Sequence, residues 1–305
     1  MHSHHSHSGQ YCTHATGDLE DCIREAIKQK FEIFCLTEHI PRYREQDLYP
    51  GETQTLVELL EMFQKYHAHA RSLQKKYAGQ LEIFVGLETE YIRDIDLRVL
   101  ELLIAKYPID MMVGSVHHVN EIPIDFDRAT WEKALSTCRD EEDYYGRYFD
   151  HQYEVLKLFK PLVVGHFDVV LLFAPKDTSL LRWSSVASKI KRNIDLIISY
   201  GGMIELNSAA FRKGWTSAYP KPDIIRLIQE SGGTFCISDD SHGPHQVGLN
   251  FHRLQEYIKD MGISDLGHLE ADGKDTADGV PVNVKVCSSP ETIEKFQSWQ
   301  PRTDV

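Results

Sequence analysis

Residues 81–88 read LEIFVGLE, a short apolar stretch that ends on the carboxylate of Glu88. Aliphatic and aromatic residues fill it almost without interruption, which is typical of a parallel strand buried on both faces. Similar stretches recur along the chain, and a segment with helical spacing follows nearly every one. The predicted strands are 2–7, 31–37, 81–88, 109–116, 161–166, 202–207 and 233–239.

The intervening segments carry apolar residues at helical spacing, as in Asp18–Gln29. Glycine pairs at 201–202 and 232–233 end two of them directly before a strand, as helix C-caps favour. About seven βα units predict a barrel-like α/β fold, with an open doubly wound sheet as the alternative. The predicted helices are 18–29, 54–77, 95–106, 141–159, 183–200, 221–231 and 245–261.

The composition changes after about residue 262, where Asp, Gly and Ser cluster. We therefore divide the chain into a barrel domain, 1–262, and a C-terminal extension, 263–305, packed on or trailing from the barrel. The extension is expected to hold a loop, a short strand, a small helix over 290–298 and frayed last residues.

Bulk properties exclude several classes of protein. The 305 residues carry a formal net charge of −13, which disfavours a nucleic-acid partner but allows a small phosphorylated substrate beside a metal cluster. No apolar run is long enough to span a bilayer, and no signal region opens the chain, so we expect a cytoplasmic protein. The six cysteines form no C-x-x-C pair, which favours reduced thiols. The sequence leaves the oligomeric state open.

Metal-ligating residue types follow the ends of most predicted strands. Active sites of barrel enzymes are built at this rim, and scattered histidines would not favour one end of so many strands. The candidates are His5, His7, His39, Glu88, His117, His166, Asp240 and His242, with His14 in the loop after the first strand. Because serines interrupt the N-terminal histidines and the other motifs lie far downstream, an affinity tag does not explain them.

Imidazoles and carboxylates together suit catalytic Zn, Fe or Mn rather than a closed structural zinc site. Eight or nine ligands around a bridging carboxylate imply two or three ions. Such clusters polarise a phosphoryl oxygen and activate water near neutral pH. Cys12 is an alternative ligand close to the histidine cluster.

Other polar residues near these motifs receive different interpretations. His2 and His4 are expected to be bystanders on a solvated chain start. Glu38 and Asp239 each precede a candidate ligand and are expected to accept hydrogen bonds behind it. Surface or structural roles are expected for His67, His69 and His151.

The motifs HSHS, TEH, GLE, SVHH, GHFD and DDSH, in this order, resemble those of the polymerase-and-histidinol-phosphatase (PHP) superfamily. Longer strings, MHSHHSHSG, CLTEHIPR, VGSVHHVNEIPIDFD and KPLVVGHFD, resemble the monofunctional histidinol-phosphatases of fungi. The resemblance covers about residues 1–262. It implies a distorted (β/α)7 barrel with about three divalent ions at the C-terminal rim of the strands. The implied reaction is hydrolysis of L-histidinol phosphate to L-histidinol and phosphate in histidine biosynthesis.

The resemblance also implies how the ligands are shared. The first ion would be held by His5, His7, Glu88 and Asp240. Glu88 would bridge to a second ion, held also by His117 and His166. The third would be held by His14, His39 and His242. His2 and His4 could replace the first pair, but the spacing from His7 to His14 favours His5 and His7.

No serine or cysteine nucleophile motif is present, so we expect attack by a metal-activated hydroxide. The catalytic candidates are Glu88, Asp240 and His242, with Asp240 or a water beside it assisting the leaving alkoxide. Arg212 and Arg42 are expected to clamp phosphate with their forked donors. His118 is assigned to substrate binding. Adjacent residues of a continuing strand point to opposite faces, so only one residue of the pair 117–118 is expected to bind metal.

Two rival functions remain. A nuclease or phosphodiesterase of the same superfamily is disfavoured by the acidic charge and the lack of a basic tract. A non-catalytic, metal-stabilised binding module is disfavoured because no ligand of the expected set is missing.

Overall fold

Parallel strands and helices alternate along the chain. The computed structural model describes residues 1–273 and 276–300. The strands are β1 (His2–Ser3), β2 (Ser6–His7), β3 (Ile33–Leu36), β4 (Glu82–Glu88), β5 (Met111–Gly114), β6 (His118–Val119), β7 (Ile122–Pro123), β8 (Val163–Val164), β9 (Met203–Asn207), β10 (Thr234–Ser238), β11 (Ser241–His242), β12 (Leu266–Ala271) and β13 (Val284–Ser289). The helices are α1 (Leu19–Lys28), α2 (Leu56–Lys76), α3 (Asp94–Lys106), α4 (Arg128–Ser136), α5 (Glu141–Phe159), α6 (Ser184–Ser199), α7 (Ala209–Arg212), α8 (Pro222–Glu230), α9 (Phe251–Asp260) and α10 (Pro290–Ser298).

Seven strands form one parallel sheet in the order β1-β3-β4-β5-β8-β9-β10. The N-terminal strand predicted over 2–7 is divided into two short pieces. Its first piece, β1, pairs with β3, whereas its second piece, β2, pairs with β11 just beyond the last strand of the sheet. The first strand therefore reaches both edges of the sheet and nearly closes it into a barrel, which confirms the barrel-like α/β fold.

The inner face of the barrel is apolar near the start of the strands and polar near their ends. Side chains two residues apart on a strand share a face, so Phe84 and Glu88 both point inward. In the same way Met203 is followed inward by Glu205 and Asn207. The apolar layer consists of Ile33, Cys35, Phe84, Met111, Val113, Val163, Met203 and Cys236. The strands thus place the charged groups at one end of the barrel interior, above an apolar layer that fills the other end.

The outer face of the strands packs against the helices. Phe34, Leu36 and Val85 point outward into a large core that includes the apolar side of α1. Helix α2 begins with a capping box, in which Thr55 and Glu58 satisfy each other's backbone N–H groups. Within the described residues, every helix is too short or too polar to span a lipid bilayer.

The helix predictions differ from the structure at three places, the smallest of which is the unpredicted four-residue helix α7. The helix predicted over 245–261 begins only at Phe251, because Gly248 has a positive φ of 71° and the preceding residues form a short 3₁₀ turn. Helix α4 was not predicted. It is only nine residues long and buries little besides Trp131 and Ala134, so its apolar periodicity is weak.

The C-terminal extension closes the N-terminal end of the barrel. Strands β12 and β13 form an antiparallel hairpin, and Leu269 and Val282 pack onto the apolar floor. The N–H of Val282 donates to Asp110 Oδ1 over 2.8 Å. The small helix predicted over 290–298 is present as α10. The prediction that the last residues are frayed concerns 301–305, which lie outside the described residues.

His2 and His4 are buried, with 5% and 0% exposure, so the expectation of a solvated chain start is wrong. Nε2 of His4 accepts a hydrogen bond from the N–H of Leu269 (3.2 Å), so its Nδ1 carries the proton and donates to the carbonyl of Ile237 (3.2 Å). The ring of His2 lies 4.8 Å from that of His4 and 5.8 Å from that of His268. The extension covers this part of the chain, which is why the histidines are buried.

We predict that Leu269→Ala lowers the free energy of unfolding by about 2–5 kcal/mol, because it leaves a cavity at the barrel floor. Leu102→Ala is the matched control: Leu102 is 71% exposed, so this change should stay within about 0.5 kcal/mol. Urea denaturation measures both variants. Equal, small effects would show that the extension contributes nothing to the stability of the barrel.

Candidate metal centre

All nine predicted ligands converge at the C-terminal rim of the barrel. Among the described residues, five overlapping groups have ligand atoms close enough to hold an ion. They are His5–His7–Glu88, His5–His166–Asp240, Glu88–His117–His166, His7–Asp240–His242 and Cys12–His14–His39–His242. His2 and His4 belong to none of these groups.

Glu88 lies at the centre of the constellation. Its Oε1 is 2.9–3.2 Å from the Nε2 atoms of three histidines, His5, His117 and His166. Its Oε2 is 2.9 Å from Nδ1 of His39 and 3.5 Å from Nε2 of His7. The two oxygens face different sets of imidazoles, which is the geometry that a bridging carboxylate needs.

Three pairs of imidazole nitrogens lie at ligand-to-ligand spacing. The Nε2 atoms are 3.1 Å apart in the pair His5–His7 and 3.1 Å apart in the pair His117–His166. They are 3.3 Å apart in the pair His14–His39. Since Zn–N bonds are about 2.0–2.1 Å, two ligands of one tetrahedral ion lie about 3.3 Å apart. Each pair therefore has the spacing of two ligands on one ion.

Cys12 lies in the same group as His14, His39 and His242. Its Sγ lies 3.2 Å from Nε2 of His14, and the side chain is buried. Burial raises the pKa of the Cys12 thiol, so the group is protonated unless a cation displaces the proton. The alternative of Cys12 as a ligand is thus compatible with the geometry.

Asp240 is aimed into the centre by a change of backbone direction. Strand β10 ends at Ser238, and Asp240 adopts a positive φ of 48°, a conformation that Asp tolerates better than most residues. Its Oδ1 lies 3.5 Å from Nε2 of His7 and 3.6 Å from Nδ1 of His242. The preceding Asp239 holds this turn, because it accepts hydrogen bonds from the N–H groups of Gly248 (2.7 Å) and Ser241 (3.0 Å).

Glu205 was missed in the sequence analysis. Its Oε1 is 3.0 Å from Nδ1 of His5, and its Oε2 accepts from the N–H of His166 (2.8 Å) and from the amide of Asn207 (2.8 Å). Metal-ligating histidines commonly donate their second N–H to such a carboxylate, which fixes the ring and its tautomer. Glu205 therefore orients Nε2 of His5 toward the centre.

Glu90 supports His117 in the same manner, with Oε2 2.9 Å from Nδ1 and Oε1 accepting from the backbone N–H (2.8 Å). Glu38 accepts from the N–H and hydroxyl of Ser8 (2.8 and 2.6 Å) and lies 3.6 Å from Nδ1 of His7.

The sequence contained a detectable signal for the roles of Glu205 and Glu90. A glutamate inside or just after a buried strand needs a partner, and each lies two residues from another inward-facing polar residue.

The protonation states suit cation binding. Burial, followed by the nearby His7, lowers the pKa of His14 to about 4 and that of His242 well below its usual value. Neutral imidazole is the form that binds metal. Burial alone would raise the pKa of Glu88, but its histidine neighbours hold it well below its usual value, so this carboxylate is ionised.

Burial is the largest single effect and lowers the pKa values of His5 and His117, but the carboxylates around each ring, Glu88 first among them, together outweigh it and raise both pKa values well above their usual value. When no metal ion is present, each of these two imidazoles is therefore protonated and positively charged. An incoming metal ion must displace those protons, so metal binding at these two residues is coupled to pH.

An open cavity of about 500 Å³ lies above the ligands. Arg212 lines it and also donates to the backbone carbonyls of Asp240 (3.0 Å) and Asp239 (3.4 Å). Arg42 does not line this cavity. It is buried beside a smaller adjoining pocket, with its guanidinium 4.9 Å from the centre of the Tyr49 ring.

His118 does not line the cavity either, and its assignment to substrate binding stays a prediction. The residue follows His117 at the start of β6, and its side chain is buried with Nδ1 3.0 Å from Oε2 of Glu90. The three histidines expected to be structural lie outside the ligand groups. His67 and His151 are close to the backbone carbonyls of Pro108 and His118, and His69 to the hydroxyl of Tyr11.

We predict that Glu205→Gln weakens zinc binding by about 10–100-fold, because an amide is a poorer partner for His5 than a carboxylate. Competition with a chromogenic chelator measures the affinity. Glu230→Gln, which removes the same charge from an exposed position at the end of α8, should change nothing. An unchanged affinity in the Glu205 variant would contradict the orienting role.

The chain is similar to known proteins over most of its length. A model of the PHP domain matches residues 3–209. A probable histidinol-phosphatase of Schizosaccharomyces pombe is 48% identical, with 93% of this chain and 94% of the relative covered. The histidinol-phosphatase of Saccharomyces cerevisiae is 34% identical, with 86% of this chain and 89% of the relative covered.

Solved structures share the fold. A putative histidinol phosphatase from Listeria monocytogenes superposes with a TM-score of 0.71 at 22% identity, covering 83% of this chain and 99% of the other. A histidinol phosphate phosphatase from Lactococcus lactis, complexed with Zn, L-histidinol and phosphate, gives a TM-score of 0.67 at 19% identity, covering 92% and 98%. From the domain match and the two fungal relatives together, this chain belongs to the PHP domain family and, within it, to the histidinol-phosphatases.

Proposed function

We propose that this chain is a metal-dependent phosphomonoesterase that hydrolyses L-histidinol phosphate to L-histidinol and phosphate. The observation that carries the proposal is the full set of nine ligands beneath an open cavity, in a chain that matches a probable histidinol-phosphatase over 93% of its length. As part of the same proposal, the reaction is a late step of histidine biosynthesis and takes place in the cytoplasm.

The proposed centre holds about three divalent ions, each of them Zn, Fe or Mn. His5, His7, Glu88 and Asp240 form the first site, and Glu88 with His117 and His166 the second. His14, His39 and His242 form the third, with Cys12 as the alternative ligand. The carboxylates of Glu205 and Glu90 behind His5 and His117 support this assignment. Bound ions would supply Lewis acidity and activate water for attack on phosphorus.

The chain's own groups position the ester and handle the protons. Arg212 lines the cavity and can bind phosphate oxygens with a forked donor pair. Asp240 also lines the cavity and is ionised, since the adjacent histidines outweigh burial and lower its pKa. It can take a proton from the attacking water and pass it to the leaving alkoxide, which needs one to depart.

A phosphodiesterase or nuclease is the second candidate, and the net charge of −13 weighs against it. Phosphate release from L-histidinol phosphate, a phosphodiester and single-stranded DNA separates the possibilities. We expect turnover of the monoester only, lost on chelation and restored by divalent metal. Preferential hydrolysis of the diester or DNA would overturn the proposal.

We predict that Glu88→Gln reduces kcat by at least about a thousandfold while the chain stays folded. A neutral amide cannot balance two cations or hold them together as a carboxylate does. Metal analysis and turnover of L-histidinol phosphate are measured on the same preparation, with circular dichroism to check the fold. Near-normal turnover with a full metal complement would rule out the bridging role.

We predict that Arg212→Ala raises KM for L-histidinol phosphate about tenfold or more, since a charge-assisted contact contributes about 1.5–3 kcal/mol. Arg212→Lys should recover only part of the loss, because one point charge replaces a fork. Metal content is checked in both variants, since Arg212 also holds the backbone of Asp240. Unchanged kinetics would move the phosphate contact elsewhere, with Arg42 the next residue to test.

A further inference from the structure

A second cavity adjoins the one above the metal centre. We call the first the catalytic cavity and the second the outer cavity. The outer cavity has a volume of about 720 Å³ and is the larger of the two. Its wall consists of segments 171–176 and 213–217 together with Asp125, Phe126, Arg128 and Lys221. Asp125, Phe126 and Lys213 also line the catalytic cavity, so these three residues separate the two spaces.

The outer cavity is basic, although the chain as a whole has a net charge of −13. Its lining contains one carboxylate, that of Asp125, and four cationic side chains: Arg128, Lys176, Lys213 and Lys221. The lining of the catalytic cavity has the opposite balance, with four carboxylates and only two cationic side chains. A concave surface with an excess of one charge attracts ligands of the other sign and raises their local concentration.

Lys221 holds its charge at a fixed place in this wall. Its Nζ donates to the carbonyls of Lys176 (3.1 Å) and Thr178 (3.2 Å) and lies 5.0 Å from the centre of the Trp215 ring. Carbonyl oxygens orient the ammonium group without cancelling its charge. Three acidic residues influence Lys221 from nearby, but they do not line the outer cavity: Asp168, Asp177 and Asp223.

The other three cations of the outer cavity differ in how they are held. Arg128 donates to the carbonyl of Phe173 (3.0 Å), and the same nitrogen lies 3.9 Å from Glu132. Within the described part of the chain, the ammonium groups of Lys176 and Lys213 have neither a hydrogen-bond partner nor an ion-pair partner. Two exposed lysines thus present their full charge to the solvent in and around the cavity.

The cationic residues continue from the outer cavity to the metal centre. Lys213 lines both cavities, and the preceding Arg212 lines only the catalytic one. Both residues lie at the C-terminal end of α7, where the N–H of Lys213 donates to the carbonyls of Ala209 and Ala210 (3.1 Å each). The backbone of Lys213 is therefore fixed between the two spaces.

We propose that the outer cavity binds the phosphate group of the incoming ester, which then passes Lys213 to reach Arg212 and the metal centre. This inference rests on the proposed function and extends it to the route by which substrate approaches. A phosphate monoester carries a charge of about −1.5 to −2 at pH 7. The excess of cations attracts that charge in a molecule whose surface otherwise repels it.

The contact is weak and sensitive to salt. Exposed lysine ammonium groups are strongly hydrated, and they form only weak ion pairs in water. Such charges increase the rate and probability of encounter more than they increase affinity. The outer cavity therefore affects kcat/KM, whereas kcat depends on the metal centre.

The double variant Lys176→Gln/Lys213→Gln tests the route with L-histidinol phosphate as substrate. At an ionic strength of about 10 mM the Debye length is about 30 Å, and kcat/KM should fall about fivefold or more. At about 1 M sodium chloride the Debye length is about 3 Å, and the variant should come within about twofold of the wild-type protein. The kcat value should stay within about twofold at both concentrations, because every proposed metal ligand and Arg212 are unchanged.

The matched control is Lys65→Gln/Lys157→Gln, which removes the same two charges from α2 and α5. These side chains are 72% and 54% exposed and line neither cavity. The control should follow the salt dependence of the wild-type protein. If the control loses as much kcat/KM at low salt as the test variant, net charge rather than the outer cavity is responsible, and the proposal is wrong.

Equilibrium dialysis of the metal-loaded protein against millimolar inorganic phosphate tests binding directly. We expect two phosphate ions per chain at low ionic strength for the wild-type protein and one for Lys176→Gln/Lys213→Gln. One ion per chain in the wild-type protein would overturn the proposal. Two ions per chain with an unchanged salt dependence of kcat/KM would assign the outer cavity to free phosphate instead of substrate, which also contradicts it. Failure of the wild-type protein to hydrolyse L-histidinol phosphate would instead refute the proposed function.

Discussion

The ionised carboxylate of Glu88, buried among five imidazoles, is the constraint on which the structure depends. A lone carboxylate in such a place would cost several kcal/mol of desolvation, so it needs cations or protonated partners around it. His5 and His117 provide them in the protein alone, and metal ions can replace their protons. The barrel is the scaffold that brings these groups from distant parts of the chain to about 3 Å spacing.

The strand pairing that closes the barrel also brings candidate metal ligands together. Strand β2 carries His7 and pairs with β11, which carries His242, in register. The N-terminal strand thus joins both edges of the sheet at the position of two candidate ligands, His7 and His242. Beneath them, the apolar floor and the C-terminal hairpin exclude water, which strengthens electrostatic interactions above. Loss of the hairpin would therefore affect the site as well as stability.

The sequence predicted what depends on local pattern. Buried strands such as 81–88 and their terminal ligands follow from period-2 geometry, and the motif order indicated the family. It did not predict contacts between remote segments. His4 was expected in solvent because no local sequence pattern identifies Leu269 as its hydrogen-bond partner. The sequence also did not reveal that His118 and Arg42 lie outside the lining of the larger cavity, because side-chain direction after a strand depends on neighbours such as Glu90. Glu205 was overlooked although its burial in a strand was itself a signal.

The charge of the whole chain and the charge of the site act at different ranges. A net charge of −13 repels nucleic acid, yet a small phosphate ester must still approach. Screening limits the influence of distant surface charges to about 10 Å, so the cavity wall decides what enters. There, Arg212 and the candidate metal centre favour the phosphate group of a small ester over a long polyanion, whose remaining charges would meet the acidic surface.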